Sequence, residues 1–203
     1  MMHPDTELKF ISPEIGYGVV ATKFIPKGTI TWIADPLDHV FTPKEVQQLE
    51  PDFQAILNKY TYRDNKGNLV LCWDNARFVN HSFNSNCIST AYNFELAVRD
   101  IQPGEELTDD YGYLNVQEPF EALPEPGTTR TKVMPDDLLH FHEEWDEKLK
   151  QAFRNYIQVA QPLAKYIAPV YQYKVQQIAA GKAEMDSILN CYYDEQKHVL
   201  PMD

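Results

Sequence analysis

Three short segments hold residue types that could do chemistry. Gly16-Tyr17-Gly18 sets two glycines around an aromatic ring, which lets backbone lie close against a ligand or turn tightly. Ala76 to Cys87 (ARFVNHSFNSNC) packs Asn80, His81 and Ser82 among apolar residues, so these polar groups need internal hydrogen bonds if they are buried. Gly104 to Tyr113 (GEELTDDYGY) brings Glu105, Glu106, Asp109 and Asp110 close to Tyr111. A hydrolase built on His81 and Ser82 is disfavoured, because adjacent residues do not set a base against a nucleophile and no Gly-x-Ser-x-Gly elbow is present. The four acids do not have the alternating oxygen spacing of a calcium loop.

The elements that must position these segments divide near Pro119. Before it, Gly18 to Phe24, Thr29 to Ala34, Lys59 to Tyr62, Asn68 to Trp73 and Tyr92 to Arg99 read as strands, with turns at Pro26 to Gly28, Asn65 to Asn68 and Ile101 to Gly104. Thr42-Pro43-Lys44-Glu45 is a capping box that opens a helix, which Pro51 breaks or kinks. After Pro119, residues Glu118 to Thr131 read as loop. Leu138, Phe141, Trp145, Leu149, Phe153, Tyr156 and Ala160 then form one apolar helical stripe that ends at Pro162. A second helix carries Leu163 to Ile178, with a possible kink at Pro169 and a stop at Gly181, and a third runs from Glu184 to Tyr192. Strands first and helices second make an α+β chain.

The chain has 203 residues and ordinary apolar and charged content, but its net charge of −12 is unusual. That charge argues against direct nucleic-acid binding and suits a basic partner such as a lysine-rich protein segment. Cys72, Cys87 and Cys191 are too scattered for a disulfide framework or zinc cluster, and read as reduced thiols of an intracellular protein. Residues Met1 to Phe10 do not read as a signal or transit peptide, and no apolar run approaches the roughly 18 residues of a membrane span.

In this order and at these separations the three segments resemble the SET-domain family of protein lysine methyltransferases. The family pattern is Gly-x-Gly, then Arg-Phe-x-Asn-His-Ser-x-x-x-Asn, then Gly-Glu-Glu-Leu-Thr-x-Asp-Tyr. Gly16 to Gly18, Arg77 to Asn86 and Gly104 to Tyr111 match it, and the likeness covers residues 8 to 117. The resemblance implies a fold of several small β-sheets with a knot-like crossing, followed here by a C-terminal helical segment. It implies methyl transfer from S-adenosylmethionine to a lysine amine of a protein substrate; the alternative is a SET-fold module, weakly active or inactive, that binds protein and cofactor. Gly16, Tyr17, Gly18, Asn80 and His81 inherit cofactor contacts, with Arg77 and Phe78 supporting the pocket. Tyr111 inherits the mouth of the lysine channel, where it serves both cofactor and catalysis. Tyr60 is the second channel tyrosine, with Tyr62 on the same strand face.

The implied domains are a SET domain over residues 1–117 with an insert at 36–58, a linker over 118–134 and a helical region over 135–203. Departures from the family pattern carry further expectations. Phe83 stands where zinc-binding members have Cys, and residues 118–130 hold no Cys, so no zinc is expected. Asp109 stands where the family usually has Phe or Tyr, which leaves the number of methyl groups open. With no zinc tail, the helical region is expected to dock on the core near the cofactor, with Tyr192 or Tyr193 close to the pocket; a self-contained helical bundle is the competing expectation.

Overall fold

The computed structural model describes residues 1–195. In chain order its strands are β1 (Thr6–Ser12), β2 (Gly16–Ala21), β3 (Ile30–Ile33), β4 (His39–Phe41), β5 (Thr61–Arg63), β6 (Leu69–Leu71), β7 (Asn80–His81), β8 (Cys87–Ser89), β9 (Phe94–Ala97), β10 (Glu106–Asp109), β11 (Phe120–Glu121) and β12 (Lys132–Val133). Its helices are α1 (Pro43–Gln47), α2 (Pro51–Tyr60), α3 (Asp137–Phe153) and α4 (Pro169–Ala179), joined by short 3-10 turns. The strands form four small sheets, ordered β1-β2-β10-β7, β3-β9-β8, β4-β6-β5 and β11-β12. All pairings are antiparallel except β7 with β10, which is parallel. The expected α+β class with several small sheets is what the chain adopts.

The β3-β9-β8 sheet sits at the centre, and every residue of β3 and β9 is buried. Strand alternation sends side chains to both of its faces. On one face Ile30, Ile33, Ile88, Phe94 and Leu96 join Leu138, Trp145, Leu149 and Phe153 of α3 in one core. On the other, Trp32, Cys87 and Ala97 pack against Val19, Ala21 and Leu107 of the first sheet.

The helical region therefore docks on the strands and is not a bundle of its own. The Phe153 ring meets Tyr92 and Phe94 edge-on at 6.3 Å each, and Trp145 meets Tyr113 at 5.3 Å. Each large apolar side chain buried there contributes about 1.5–3 kcal/mol against the entropy of ordering it. The Gln161 amide fastens the same junction, donating to the Gly28 carbonyl at 2.7 Å and accepting from the Ile30 N–H at 2.9 Å. Gly28 has φ +91°, and a Cβ there would lie 2.7 Å from the Ala152 carbonyl, so only glycine lets the β2–β3 turn approach the end of α3.

Several boundaries differ from the sequence reading, each for a local reason. The capping box of Thr42 and Glu45 forms as expected, with both reciprocal bonds. Pro51 begins a new helix as its first residue, where its missing N–H costs nothing. That helix runs to Tyr60, because the Thr61 N–H and hydroxyl both bond the Leu57 carbonyl. Tyr60 is thus at a helix end, and only Tyr62 is on a strand. The long apolar stripe is not one helix: α3 stops at Phe153 and Tyr156 falls in a separate 3-10 turn. Pro169 starts α4 and does not kink it. Residues Glu118 to Thr131, expected as loop, contribute β11 to a hairpin with β12. Of the expected third helix, only a 3-10 turn at Ile188–Cys191 exists, capped by the Ser187 hydroxyl. Residues 196–203, which the expected helical region also covered, lie outside the described residues.

Because α3 completes the core, a chain ending at Val133 should not fold cooperatively by circular dichroism and urea titration. Trp145→Ala in the full chain should cost about 3–5 kcal/mol. A truncated protein with a sharp unfolding transition would show instead that the strands are self-sufficient.

Candidate active site

The site is built around the parallel contact of β7 with β10. Thr108 faces Asn80 and Asp109 faces His81 in this register. Asn86, fully buried, laces the crossing: its amide donates to the Glu106 carbonyl at 2.8 Å and accepts from the Thr108 N–H at 2.9 Å. The Ser82 N–H donates to the Asp109 carbonyl at 2.9 Å. Asn80, Ser82 and Asn86 thus find the internal partners their burial requires. Asn80 donates to the Tyr17 carbonyl at 3.0 Å and to Glu106 Oε1 at 2.6 Å. A Cβ at Gly18 would lie 2.2 Å from that Glu106 oxygen and 2.8 Å from Asn80 Nδ2, so glycine is needed there for the Asn80–Glu106 contact. Gly16 has φ +86°, a backbone conformation that favours glycine, and the exposed Tyr17 ring meets Phe10 edge-on at 5.7 Å.

Tyr111 follows β10 in a 3-10 turn that Asp110 caps, accepting from the Gly112 N–H at 3.0 Å. Asp110 is fully buried, and its carboxylate pairs with the Arg130 guanidinium, which also bonds Asp137 of α3 at 2.7 Å. The same guanidinium lies 4.3 Å from the Phe83 ring and 4.2 Å from the Phe141 ring. Burial pushes the Asp110 carboxyl up, and Arg130 opposes that shift.

The Tyr111 N–H donates to His81 Nδ1 at 3.1 Å, and the Tyr111 hydroxyl donates to the Val79 carbonyl at 2.6 Å. An acceptor Nδ1 leaves the proton of neutral His81 on Nε2. That atom is buried and has no partner among the described residues. Burial lowers the His81 pKa to about 4, with Glu125 opposing and Arg130 reinforcing the shift, so the ring is neutral at physiological pH. Burial also raises the Tyr111 hydroxyl well above its ordinary range, so it remains a donor.

Tyr111 lines a cavity of about 640 Å³, together with Tyr60, Tyr62, Trp32, Arg77 and Phe120. The volume is in the range of small-molecule sites. Of the residues singled out in the sequence, Tyr60, Tyr62, Arg77, Asp109 and Tyr111 therefore meet in one cavity. Phe78 stands behind them, edge-on to Tyr60 at 5.8 Å and 5.1 Å from the Arg77 guanidinium. Gly16, Tyr17, Gly18 and Asn80 do not line this cavity; they form a second cluster, connected to it through His81. Tyr192 and Tyr193 do not line it either. Tyr193 covers the guanidinium of Arg63 at 4.8 Å and its N–H bonds Asn115, and both of those partners are in the cavity wall.

Three participants went unnoticed in the sequence. Arg130 is the sole basic residue of the segment 118–130, which was a usable signal. Glu95 is an acid inside an otherwise apolar strand, Phe94–Ala97. Trp32 carried no signal beyond β-propensity. Among the described residues no group of three or more His, Cys, Asp or Glu side chains is placed to hold a metal ion.

Comparison with known proteins locates the site in a wider group. Residues 16–112 match the model of the SET domain family. A Plasmodium falciparum "putative histone methyltransferase" of known structure is 19% identical, with a TM-score of 0.39, over 54% of this chain and 95% of that one. The methyltransferase domain of human histone-lysine N-methyltransferase SETMAR is 21% identical, with a TM-score of 0.45, over 64% of this chain and 58% of that one. No curated protein matches the chain.

Two outcomes follow from this geometry. Arg130→Met leaves the buried Asp110 carboxylate without its partner and should destabilise the protein by about 3–5 kcal/mol in urea titration. The His81 pKa is lower folded than unfolded, so the unfolded chain binds more protons between pH 4 and the ordinary histidine value. Stability should therefore rise with pH across that window, and His81→Gln should flatten the rise in melting temperature. An unaltered slope in that variant would contradict the buried neutral imidazole.

Proposed function

We propose that this chain, whose residues 16–112 match the SET domain model, transfers a methyl group from S-adenosylmethionine to the side-chain amine of a lysine in a protein substrate. The observation that carries the reading is Tyr111, fixed at both its N–H and its hydroxyl in the wall of a cavity it shares with Trp32, Tyr60, Tyr62 and Phe120.

S-adenosylmethionine supplies an electrophilic methyl group on a positively charged sulfur. The cluster of Gly16, Tyr17, Gly18, Asn80 and His81 fits such a group. His81 Nε2–H is a buried donor without an acceptor among the described residues, suited to a purine nitrogen. Backbone at Gly16 and Tyr17 is accessible beside Asn80, whose carboxamide is already oriented by the Tyr17 carbonyl. Arg77 and Phe78 support the pocket from the cavity side.

The remaining chemistry falls to the chain's own residues. A lysine amine must be neutral to attack, and its ordinary pKa is about 10.4. Tyr60, Tyr62, Trp32 and Phe120 offer ring surface along which the alkyl chain can lie, and burial there penalises the charged ammonium. The Tyr111 hydroxyl and the Val79 carbonyl it holds add a fixed polar group where the amine must be oriented. Such preorganised positioning and electrostatics supply rate without a covalent intermediate. The net charge of −12 favours a basic substrate segment.

Tyr111→Phe should remove most methyl transfer and leave S-adenosylmethionine affinity within a few-fold. Labelled cofactor with a mixed protein extract, read by mass spectrometry, measures the first, and calorimetry the second. Full transfer by the variant would sink the role of Tyr111, and absence of cofactor binding by the unaltered protein would sink the reading as a whole.

A further inference from the structure

Two carboxylic acids occupy the wall of the cavity beside Tyr111. Glu95 and Asp109 both line it, and they are 7% and 5% exposed. Strand alternation puts Glu95 there: its neighbours Phe94 and Leu96 face the core with α3, and Glu95 faces the opposite side, paired across the sheet with Trp32. Asp109 ends β10, two residues before Tyr111. The Ser89 hydroxyl donates to Glu95 at 3.2 Å, the Tyr113 hydroxyl lies 3.0 Å from Asp109, and the two carboxyls are near enough to influence each other's ionisation. No Lys or Arg among the described residues forms an ion pair with either.

Burying acids without a cation is costly, and an apolar pair of similar size would be cheaper. The Trp32 indole N–H, buried in the same wall, also has no acceptor among the described residues. The wall is thus built for a polar guest. We propose that the Glu95–Asp109 pair receives the target's ammonium group and accepts its proton.

This rests on the methyl-transfer reading, which requires a neutral amine. Burial pushes both carboxyls above the usual range, and the charge of one opposes ionisation of the other, so loss of both protons is disfavoured. Around Glu95 stand Ser89, Tyr62, Cys72 and, acting at longer range, the Met1 ammonium, which pairs directly with Asp35. Around Asp109 stand Asp110, Tyr111, Tyr113 and Cys87, all without positive charge. The ammonium gives one proton to the singly protonated pair, leaving a neutral amine and a neutral pair, so no separated charge remains in the dry wall. The nitrogen lone pair then forms the N–C bond, the electrons of the broken C–S bond stay on sulfur, and the pair returns its extra proton to solvent after product leaves.

The test uses n-butylamine, whose chain copies the lysine side chain, and full-length protein carrying ¹³C in the Glu and Asp carboxyls. At pH 7.5, added butylamine should move the Glu95 and Asp109 resonances toward the protonated position, and butan-1-ol should leave them in place. Glu95→Gln and Asp109→Asn should each weaken butylamine binding at least tenfold. Resonances that stay still or move toward the ionised position, or variants that bind the amine as the unaltered protein does, would overturn the proposal. Calorimetry with S-adenosylmethionine on the same protein separates the two readings: amine binding without cofactor binding would remove the methyl-transfer role and leave the amine site standing.

Discussion

The buried pair of Arg130 with Asp110 is the constraint on which the site depends. Asp110 caps the turn that presents Tyr111, and it has no exposure to water. A carboxylate in that position needs a fixed cation, and among the described residues only Arg130 supplies one. The guanidinium reaches three other parts of the chain at once: Asp137 at the start of α3, the Phe141 ring one turn further on, and Phe83 just after the β7 crossing. One planar cation thereby ties the reactive tyrosine to the helical region and to the crossing. Lysine would not serve, since it lacks the two-sided fork and the flat face that stacks on rings.

The central sheet gives this arrangement its second dimension. With a side-chain period of two, β9 sends Phe94 and Leu96 to the helices and Glu95 to the cavity. Folding and chemistry are therefore two faces of the same strand. The helical region is not an appendage, because two of the residues it buries, Phe94 and Tyr113, adjoin the cavity-lining Glu95 and Leu114 in sequence. A change that loosens α3 must be felt at Glu95 and Tyr111 through the sheet and through Arg130.

The sequence was most legible where chemistry is local. The capping box at Thr42 and the crossing residues Asn80, His81 and Asn86 announce themselves by type and spacing, and the structure gives them hydrogen bonds that explain those types. The helical stripe from Leu138 to Phe153 was readable for the same reason. Contacts between distant segments were less so. Arg130 sits in a stretch of Pro, Gly and Thr that reads as loop, and its partners lie 20 residues back and 7 ahead. Tyr60 was placed on a strand because aromatic and β-branched neighbours favour one, but the Thr61 hydroxyl holds the helix to its end. The pattern of Glu184 to Tyr192 reads as a helix, but Ser187 caps only a single 3-10 turn before the backbone of Cys191 and Tyr193 turns to bond Asn115.

The most direct measurement of this account is amide hydrogen exchange, resolved by residue, in the unaltered protein and in Arg130→Met. The account predicts that Tyr111 to Tyr113 and the first turns of α3 lose protection together in the variant, with the β1–β2 amides unchanged, since Arg130 bonds both elements through Asp110 and Asp137. If α3 loses protection and the turn of Tyr111 keeps its own, the tyrosine is positioned independently, and the central role given to this ion pair is wrong.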